Sequence, residues 1–292
     1  MATTTVLVTG ATGKTGRRLT PALRQRGITV RAASRAPTPA RDGVQPVPFD
    51  WFDESTYAPA LAGADAVYLV SPGPADGTAD PIAQVGKFLH SAASFGVSKV
   101  VLLSSFGVDQ APFDGPLRQV ELAVTGAGLP NTILRPAAFM QNFSENHWSA
   151  AARTIREQGK LVMPFGEHPV SYVSTGDIAG VAAAALAEDG HTGKGYTLTG
   201  PEALTLSQVA ARISAAAGRN VPYADPGPDV LRLALLDAGL PAAAADYISQ
   251  AYAHAVTSGG MSAITSDVPD VTGRPATTFE DFASAAAGAW IA

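Results

Sequence analysis

Three glycines follow a short apolar run near the start of the chain, in the stretch "VLVTGATGKTGRRL" (6–19). Gly10, Gly13 and Gly16 give the spacing G-x-x-G-x-x-G where a strand pattern changes to a helix pattern. The first N–H groups of a helix lack internal acceptors and carry the positive end of its dipole, so a diphosphate binds there. Gly10 permits the tight turn, Gly13 lets the backbone approach the phosphates, and Gly16 lets the helix pack closely. The stretch predicts a dinucleotide site, the alternative being a tight turn without a ligand.

The residues after the second predicted strand bear on which dinucleotide binds. A site for NAD commonly carries Asp or Glu about 20 residues after the glycines, where it holds the ribose hydroxyls. This chain has "VRAASRAP" there, with Ser34 and Arg35 in place of an acid. Arginine and serine suit a 2′-phosphate, and Lys14 within the turn supplies a second cation. The pattern favours NADPH over NADH, and the alternative is that Arg35 and Lys14 are solvated surface charges.

The acid–base pair that usually accompanies such a turn is missing. The glycine spacing resembles the short-chain dehydrogenase/reductase superfamily, most members of which use a Tyr-x-x-x-Lys pair to move a proton at a carbonyl oxygen. No tyrosine in this chain has a lysine four residues later. In the helix after "VVLLSS", where the pair would be expected, the chain has Leu117 and Glu121. The sequence therefore argues against the usual carbonyl chemistry.

A few other side chains are candidates for a proton donor or for the substrate pocket. Ser105 follows the predicted strand "VVLLSS", and Ser104 and Ser105 equally suit a plain strand end. His147 lies in "FMQNFSENHWSA", a segment predicted to line the substrate mouth, although a lone histidine is more often a structural or surface residue. Tyr172 precedes a predicted helix and is the third candidate. Asn142 and Phe143 are predicted to shape the pocket.

Composition narrows the class of protein. The 292 residues are 46% hydrophobic and 15% charged, with a net charge of −5, which is typical of a globular protein and argues against nucleic acid as a partner. There is no cysteine, and the five histidines show no metal-ligand spacing, so no metal site is predicted. The start of the chain lacks the pattern of a signal peptide, and no apolar run approaches the roughly 20 residues of a membrane span. We expect a soluble cytoplasmic protein without membrane contact, acting on a small molecule as a monomer or homodimer.

Strand-like and helix-like runs alternate over the first half of the chain, which predicts an α/β fold with a Rossmann-like, doubly wound parallel sheet. The predicted strands are 4–9, 28–34, 65–71, 99–105 and 131–135, and the predicted helices are 15–25, 57–62, 81–95 and 116–125.

The second half is predicted to be mainly helical. Ser174 is the expected cap of a helix with Asp177 in its first turn, and Thr205 and Thr277 each have Gln or Glu three residues on, the spacing of a capping box. We expect an NADP-binding domain over 1–153, to which 174–200 returns. Residues 154–173 and 201–292 are expected to form a smaller substrate-binding cap.

Several phrases together resemble one family. "VTGATGKTG", "FDWFDEST", "GADAVYLVSP", "TILRPAAFMQNFSE" and "TGDIAGVAAAAL" are similar to the NmrA-like atypical short-chain dehydrogenases, especially the branch with the iminium-reducing enzymes of ergot alkaloid pathways. The family also includes quinone and azo-dye reductases and redox-sensing regulators without turnover. The resemblance implies cofactor contacts at the turn and at the strand ends, namely Gly10, Thr12, Gly13, Lys14, Thr15 and Gly16, then Ser34, Arg35, Asp50, Trp51, Val70, Ser71 and Pro72, and around the nicotinamide Ser104, Ser105, Phe106, Pro136 and Phe139.

The expected function is that of an NADPH-dependent reductase. An iminium ion already carries the positive charge that hydride neutralises, so positioning and a dry pocket are enough for it. The expected acceptor is an imine or iminium, an activated C=C or a quinone-like bond of a small molecule, as in specialised metabolism. Two alternatives stay open: a non-catalytic NADP(H) redox sensor, and a cyclase or isomerase that keeps the fold.

Overall fold

The computed structural model describes residues 4–37, 39–72, 81–147, 149–164 and 166–291. The chain divides into two compact units: Met1–Pro136 with Thr175–Thr197, and Ala137–Ser174 with Leu198–Ala292. Residues 137–153 thus belong to the second unit, whereas the sequence prediction kept them with the first.

The elements follow one another in α/β alternation until the last third of the chain. The strands are β1 (Thr5–Val8), β2 (Thr29–Ser34), β3 (Val44–Pro48), β4 (Ala66–Val70), β5 (Lys99–Leu103), β6 (Asn131–Pro136), β7 (Ala138–Phe139), β8 (Leu161–Val162), β9 (Val170–Val173), β10 (Gly195–Leu198), β11 (Ala203–Leu204) and β12 (Tyr223–Ala224). The helices are α1 (Gly16–Gln25), α2 (Tyr57–Leu61), α3 (Pro81–Ser94), α4 (Pro116–Gly126), α5 (Ala151–Gln158), α6 (Thr175–Ala187), α7 (Leu206–Ala217), α8 (Asp229–Asp237), α9 (Ala242–Thr257), α10 (Asp267–Thr272) and α11 (Phe279–Ala286).

The first unit is built on a seven-stranded sheet in the order β10-β6-β5-β4-β1-β2-β3. Strands β1 to β6 pair in parallel, with Val8 opposite Ala32 on one side and Tyr68 on the other. Val6, Leu7 and Val8 are all fully buried although successive side chains point to opposite faces, so helices cover both faces. The predicted doubly wound fold is confirmed.

Strand β3 is absent from the predicted strands. Its sequence "VQPVP" contains Pro46 and Pro48, which break the usual strand pattern. Because β3 is the edge strand, proline there does not remove a hydrogen bond from the sheet interior. Because β3 occupies the edge, β2, which ends at Ser34, is the second strand of the sheet from that side.

The second unit combines small sheets with helices around its own core. The sheets have the orders β11-β9-β7 and β12-β8. Val209, Phe279 and Trp290 are fully buried in this core, and the indole N–H of Trp290 donates to the Phe143 carbonyl oxygen at 2.6 Å. Residues 201–292 are mainly helical, as predicted. No helix in the described ranges has both the length and the apolar character to traverse a bilayer.

The helix caps of the second unit bear out one prediction and correct another. Thr205 forms the predicted capping box with Gln208, each side chain bonding the other residue's backbone amide. The cap predicted at Thr277 is wrong, because α11 begins one residue later. Thr278 is the cap and accepts from the Asp281 amide at 3.0 Å. Two successive threonines made the register ambiguous in the sequence.

Replacing Thr205 with alanine should destabilise the protein by about 1 kcal/mol, because the first turn of α7 then loses its side-chain acceptor. The free energy of unfolding in urea measures the effect, and Thr205→Ser, which keeps the hydroxyl, is the matched control. Equal stabilities of the alanine and serine variants would contradict the assigned cap.

Candidate cofactor site

The glycine turn between β1 and α1 folds onto a single carbonyl oxygen. Gly10 has a positive φ of 61°, and its carbonyl oxygen accepts from the Gly13 amide at 2.9 Å. A Cβ on Gly16 would lie 2.4 Å from that oxygen and 2.7 Å from the Ala11 Cα, and a Cβ on Gly13 would lie 3.1 Å from the same oxygen. The turn itself therefore requires glycine at position 16 and leaves little room at position 13.

The turn is anchored to both neighbouring strands. The Ala11 amide donates to the Ala33 carbonyl of β2 at 3.2 Å. On the other side, the Thr9 hydroxyl donates to the Tyr68 carbonyl at 3.1 Å and accepts from the Val70 amide at 2.8 Å. A Cβ on Gly10 would meet Val70 at 3.5 Å. The predicted contacts Gly10 and Val70 thus lie together at the carboxyl edge of the sheet.

The predicted phosphate ligands of the turn differ in their surroundings. Thr12 is exposed and Lys14 is half-buried, while Thr15 is only 4% exposed. The Thr15 side chain lies beside the hydroxyl of Tyr68, whose pKa is raised by complete burial. Within the described ranges, the N–H groups of Thr12 and Gly16 have no protein acceptor. Backbone amides at the start of α1 are therefore available to an anion.

Arg35 lies at the same edge, directly after β2. Because β2 pairs in parallel with β1, its carboxyl end is next to the glycine turn. The Ser34 carbonyl accepts from the Phe49 amide at 3.1 Å, which holds the strand end against β3. The Arg35 side chain is exposed, and no described residue forms an ion pair with it. A free guanidinium beside a phosphate-type turn can hold a second phosphate.

Asp50 and Trp51 follow β3 and are held by their own surroundings. The Asp50 carboxylate accepts from the amide two residues on, at 2.9 Å. The half-buried Trp51 ring meets Phe49 and Phe88 edge-on at 5.0 and 5.1 Å, and its carbonyl accepts from the Tyr57 hydroxyl at 2.6 Å. The pKa of Tyr57 is raised to about 12, mainly by burial and to a smaller extent by the nearby carboxylates, so the hydroxyl remains a hydrogen-bond donor. Trp51 is therefore packed into an aromatic cluster and is half-buried as a residue.

The chain after β5 contains the residues predicted to flank the nicotinamide. The Ser104 amide donates to the Leu134 carbonyl at 2.7 Å, and the Phe106 amide donates to the Pro136 carbonyl at 3.0 Å. Because these two hydrogen bonds run from alternate residues to the same strand, β6, segment 104–106 continues the parallel pairing of β5 with β6. Ser71 and Pro72, after β4, are half-buried at the next strand end.

The other predicted site residues lie in the second unit: Phe139, Asn142, Phe143, His147 and Tyr172. Phe143 is 1% and Tyr172 5% exposed, and their rings meet edge-on at 5.3 Å within the core. Burial, followed by the neighbouring Tyr252 and Tyr223, raises the pKa of Tyr172 well above its usual value. Tyr172 is therefore protonated at neutral pH and can donate a hydrogen bond but not act as a base.

His147 lies beside a cavity of about 230 Å³ within the second unit. Its Nδ1 is 2.9 Å from the Ser149 hydroxyl. Ala150, which follows, has a positive φ of 54°, the strained left-handed region for a residue with a side chain. The other lining residues are Glu145, Asn146, Ala150, Ala152, Arg153, Ala234, Asp237 and Ala238.

Comparison with known proteins identifies the family. The model of the NmrA-like family matches residues 2–270. The chain belongs to the NmrA-like family. Among the relatives of this NmrA-like chain, the NAD(P)H azoreductase of Xenophilus azovorans is 35% identical, covering 98% of this chain and 99% of the relative. Agroclavine dehydrogenase of Claviceps fusiformis is 31% identical, with 98% and 99% covered.

A solved structure agrees with the fold of this NmrA-like chain. The NADPH-dependent quinone oxidoreductase QOR2 of Escherichia coli, in complex with NADPH, superposes with a TM-score of 0.77. It is 26% identical in sequence, and the match covers 96% of this chain and 99% of that structure.

A buried ion network in this NmrA-like chain is absent from the sequence predictions. Glu121 is 1% exposed and is bound by Arg135 and Arg118 as well as by Ser104. The available signal was Arg135 within the buried strand "NTILRP", since a charged residue in a buried strand needs a partner. The partner's position in a different helix is not visible from spacing alone.

Proposed function

We propose that the protein is an NADPH-dependent reductase of a small molecule, acting on an imine or iminium, an activated C=C or a quinone-like bond. The observation that carries this proposal is the glycine turn at the start of α1 with the unpaired, exposed Arg35 at the same sheet edge. Membership of the NmrA-like family supports it, as do the relatives named as an azoreductase and as agroclavine dehydrogenase.

The order of the strands gives the direction in which the cofactor would lie. Ser34, the last residue of β2, and Arg35, which follows it, would hold the 2′-phosphate, and the amides of the glycine turn, after β1, would hold the diphosphate. The nicotinamide would then extend over the ends of β4 and β5, beside Ser71 and segment 104–106. The bound cofactor supplies a hydride, and the residues of this chain orient it.

Acceptors that need little acid catalysis fit the side chains best. Burial raises the pKa of Tyr172 well above its usual value, which makes its hydroxyl a weak acid that could still donate a hydrogen bond to a substrate heteroatom. Ser105 and His147 are the other proposed donors. Asn142, which is half-buried in the second unit, would shape the substrate pocket, whereas Phe143, at 1% exposure, belongs to the core of that unit.

Consumption of NADPH by the purified protein tests the proposal. A quinone, an azo dye, an activated enone and an iminium salt are supplied in turn, and the absorbance of reduced nicotinamide is followed against the spontaneous rate. We expect oxidation with at least one acceptor class, and a higher kcat/KM with NADPH than with NADH. Tight NADPH binding with no oxidation across the panel would contradict a reductase.

A non-catalytic NADP(H) sensor is the second candidate. The observation that favours it is Glu121, which is held in an ion network in the helix where a Tyr-x-x-x-Lys pair would be expected. Binding without turnover, together with a protein partner captured only in one redox state of the cofactor, would support this alternative.

A further inference from the structure

The Glu121 carboxylate is fully engaged inside the first unit. Arg135 binds it as a fork, with Nε 2.8 Å from Oε1 and Nη2 2.8 Å from Oε2. Arg118, one turn earlier on α4, donates to Oε2 at 3.1 Å. The Ser104 hydroxyl donates to Oε1 at 2.6 Å. Both carboxylate oxygens thus accept charged donors, and one of them also accepts a hydroxyl.

This network joins several segments at one end of the sheet. Glu121 comes from α4, Arg135 from β6, and Ser104 from the residues after β5. Arg135 also lies 3.8 Å from the Asp109 carboxylate, in the short helix Val108–Gln110 that follows segment 104–106. A Cβ on Gly195 of β10 would lie 2.6 Å from Arg135 Nη1, so the guanidinium fits there only because position 195 has no side chain.

The network also sets the direction of neighbouring side chains. In an extended segment, successive side chains point to opposite sides, so Ser104 turned towards Glu121 directs Ser105 away from it. The Ser104 hydrogen bond therefore fixes the rotation of segment 104–106. Glu121 holds the pKa of Arg135 above its usual value, so the fork stays charged.

A buried ion cluster is a costly way to stabilise a fold, because well-packed apolar residues often stabilise as much or more. A cluster that locks one geometry at a strand end is better explained by a positioning role. The end of β5 is two strands from β1 in the direction opposite to Arg35. It is therefore on the nicotinamide side of the proposed cofactor site.

We propose that Glu121 is a positioning residue that holds segment 104–106 in place through Ser104 and Arg135. The segment would then form the surface on which the nicotinamide half of the cofactor binds. The inference rests on the proposed function, because it assumes that a dinucleotide lies along the carboxyl edge. It assigns a role to Glu121, Arg135 and Ser104 that concerns the nicotinamide half and not the adenosine half.

Calorimetric titration with two ligands distinguishes an effect on the nicotinamide half of the cofactor from an effect on the adenosine half. NADPH contains both, whereas 2′-phospho-ADP-ribose lacks the nicotinamide. In Glu121→Gln, which keeps the size of the side chain and removes its charge, we expect the Kd for NADPH to rise about tenfold. The Kd for 2′-phospho-ADP-ribose should stay within about twofold of the wild-type value, since the turn and Arg35 are unchanged.

Ser104→Ala is the second variant, because it leaves the ion pairs in place and is tolerated even if Glu121→Gln fails to fold. We expect the same selective loss, about threefold for NADPH. Equal losses for both ligands, or no loss for NADPH in a folded variant, would overturn the positioning role. A wild-type protein that binds neither ligand would instead overturn the proposed function itself.

Discussion

Replacing Gly16 with alanine should weaken NADPH binding about a hundredfold, because the lost hydrogen bonds to a charged phosphate are worth about 1.5–3 kcal/mol each. The new Cβ would lie 2.4 Å from the Gly10 carbonyl oxygen and 2.7 Å from the Ala11 Cα. Both neighbours are backbone atoms, so the turn must move to relieve the clash. The amides at the start of α1 would then no longer converge on a diphosphate. A titration of NADPH followed by intrinsic fluorescence measures the loss.

Gly86→Ala is the matched control for this substitution. Gly86 also lies in a helix, α3, but a Cβ there meets no atom within 4 Å. Alanine is the better helix former, so this variant should bind NADPH normally and gain up to about 1 kcal/mol of stability. Normal NADPH binding by Gly16→Ala would show that the cofactor does not use the turn.

Replacing Arg35 with alanine should remove the preference for NADPH over NADH. A charge-assisted hydrogen bond to a phosphate is worth about 1.5–3 kcal/mol, or roughly tenfold to a hundredfold in Kd. Because no described residue pairs with Arg35, its loss leaves no buried charge behind, and binding of NADH should change little. Parallel titrations with the two reduced cofactors give the ratio of Kd values directly.

Arg41→Ala is the matched control, because it also removes one positive charge but at the amino ends of the strands. Arg41 precedes β3, whereas Arg35 follows β2, and Ser34 lies opposite Pro48 in this parallel pair. The Arg41 variant should keep the wild-type preference, which separates a specific contact from the effect of net charge. An unchanged preference in Arg35→Ala would place the 2′-phosphate elsewhere or exclude NADPH as the favoured cofactor.

Local patterns were sufficient to predict most of the first unit. The alternation of apolar runs, such as those around Val6 and Val67, with helix-like runs predicts parallel strands with crossover helices, and the structure has them. Strand β3 escaped because Pro46 and Pro48 are tolerated only by an edge strand, and edge position is a property of the assembled sheet.

The candidate site shows the same division between local and assembled features. The glycine turn and Arg35 were visible from spacing, because each acts close to its own position in the chain. The partners of Glu121 were not, since Ser104, Arg118 and Arg135 meet only when β5, α4 and β6 are packed together. The reason why position 16 must be glycine is also not visible in the sequence, because it depends on the folded turn, in which the Gly10 carbonyl oxygen lies where a Cβ would be.

The most direct test of the proposed reductase is the fate of the hydride. NADPH labelled with deuterium at one or the other C4 position is incubated with the protein and its best acceptor, and the NADP⁺ formed is analysed by mass spectrometry. We expect one labelled cofactor to yield NADP⁺ without deuterium and the other to yield NADP⁺ that retains it. Substrate converted while the labelled NADPH is recovered intact would contradict a hydride-transferring enzyme.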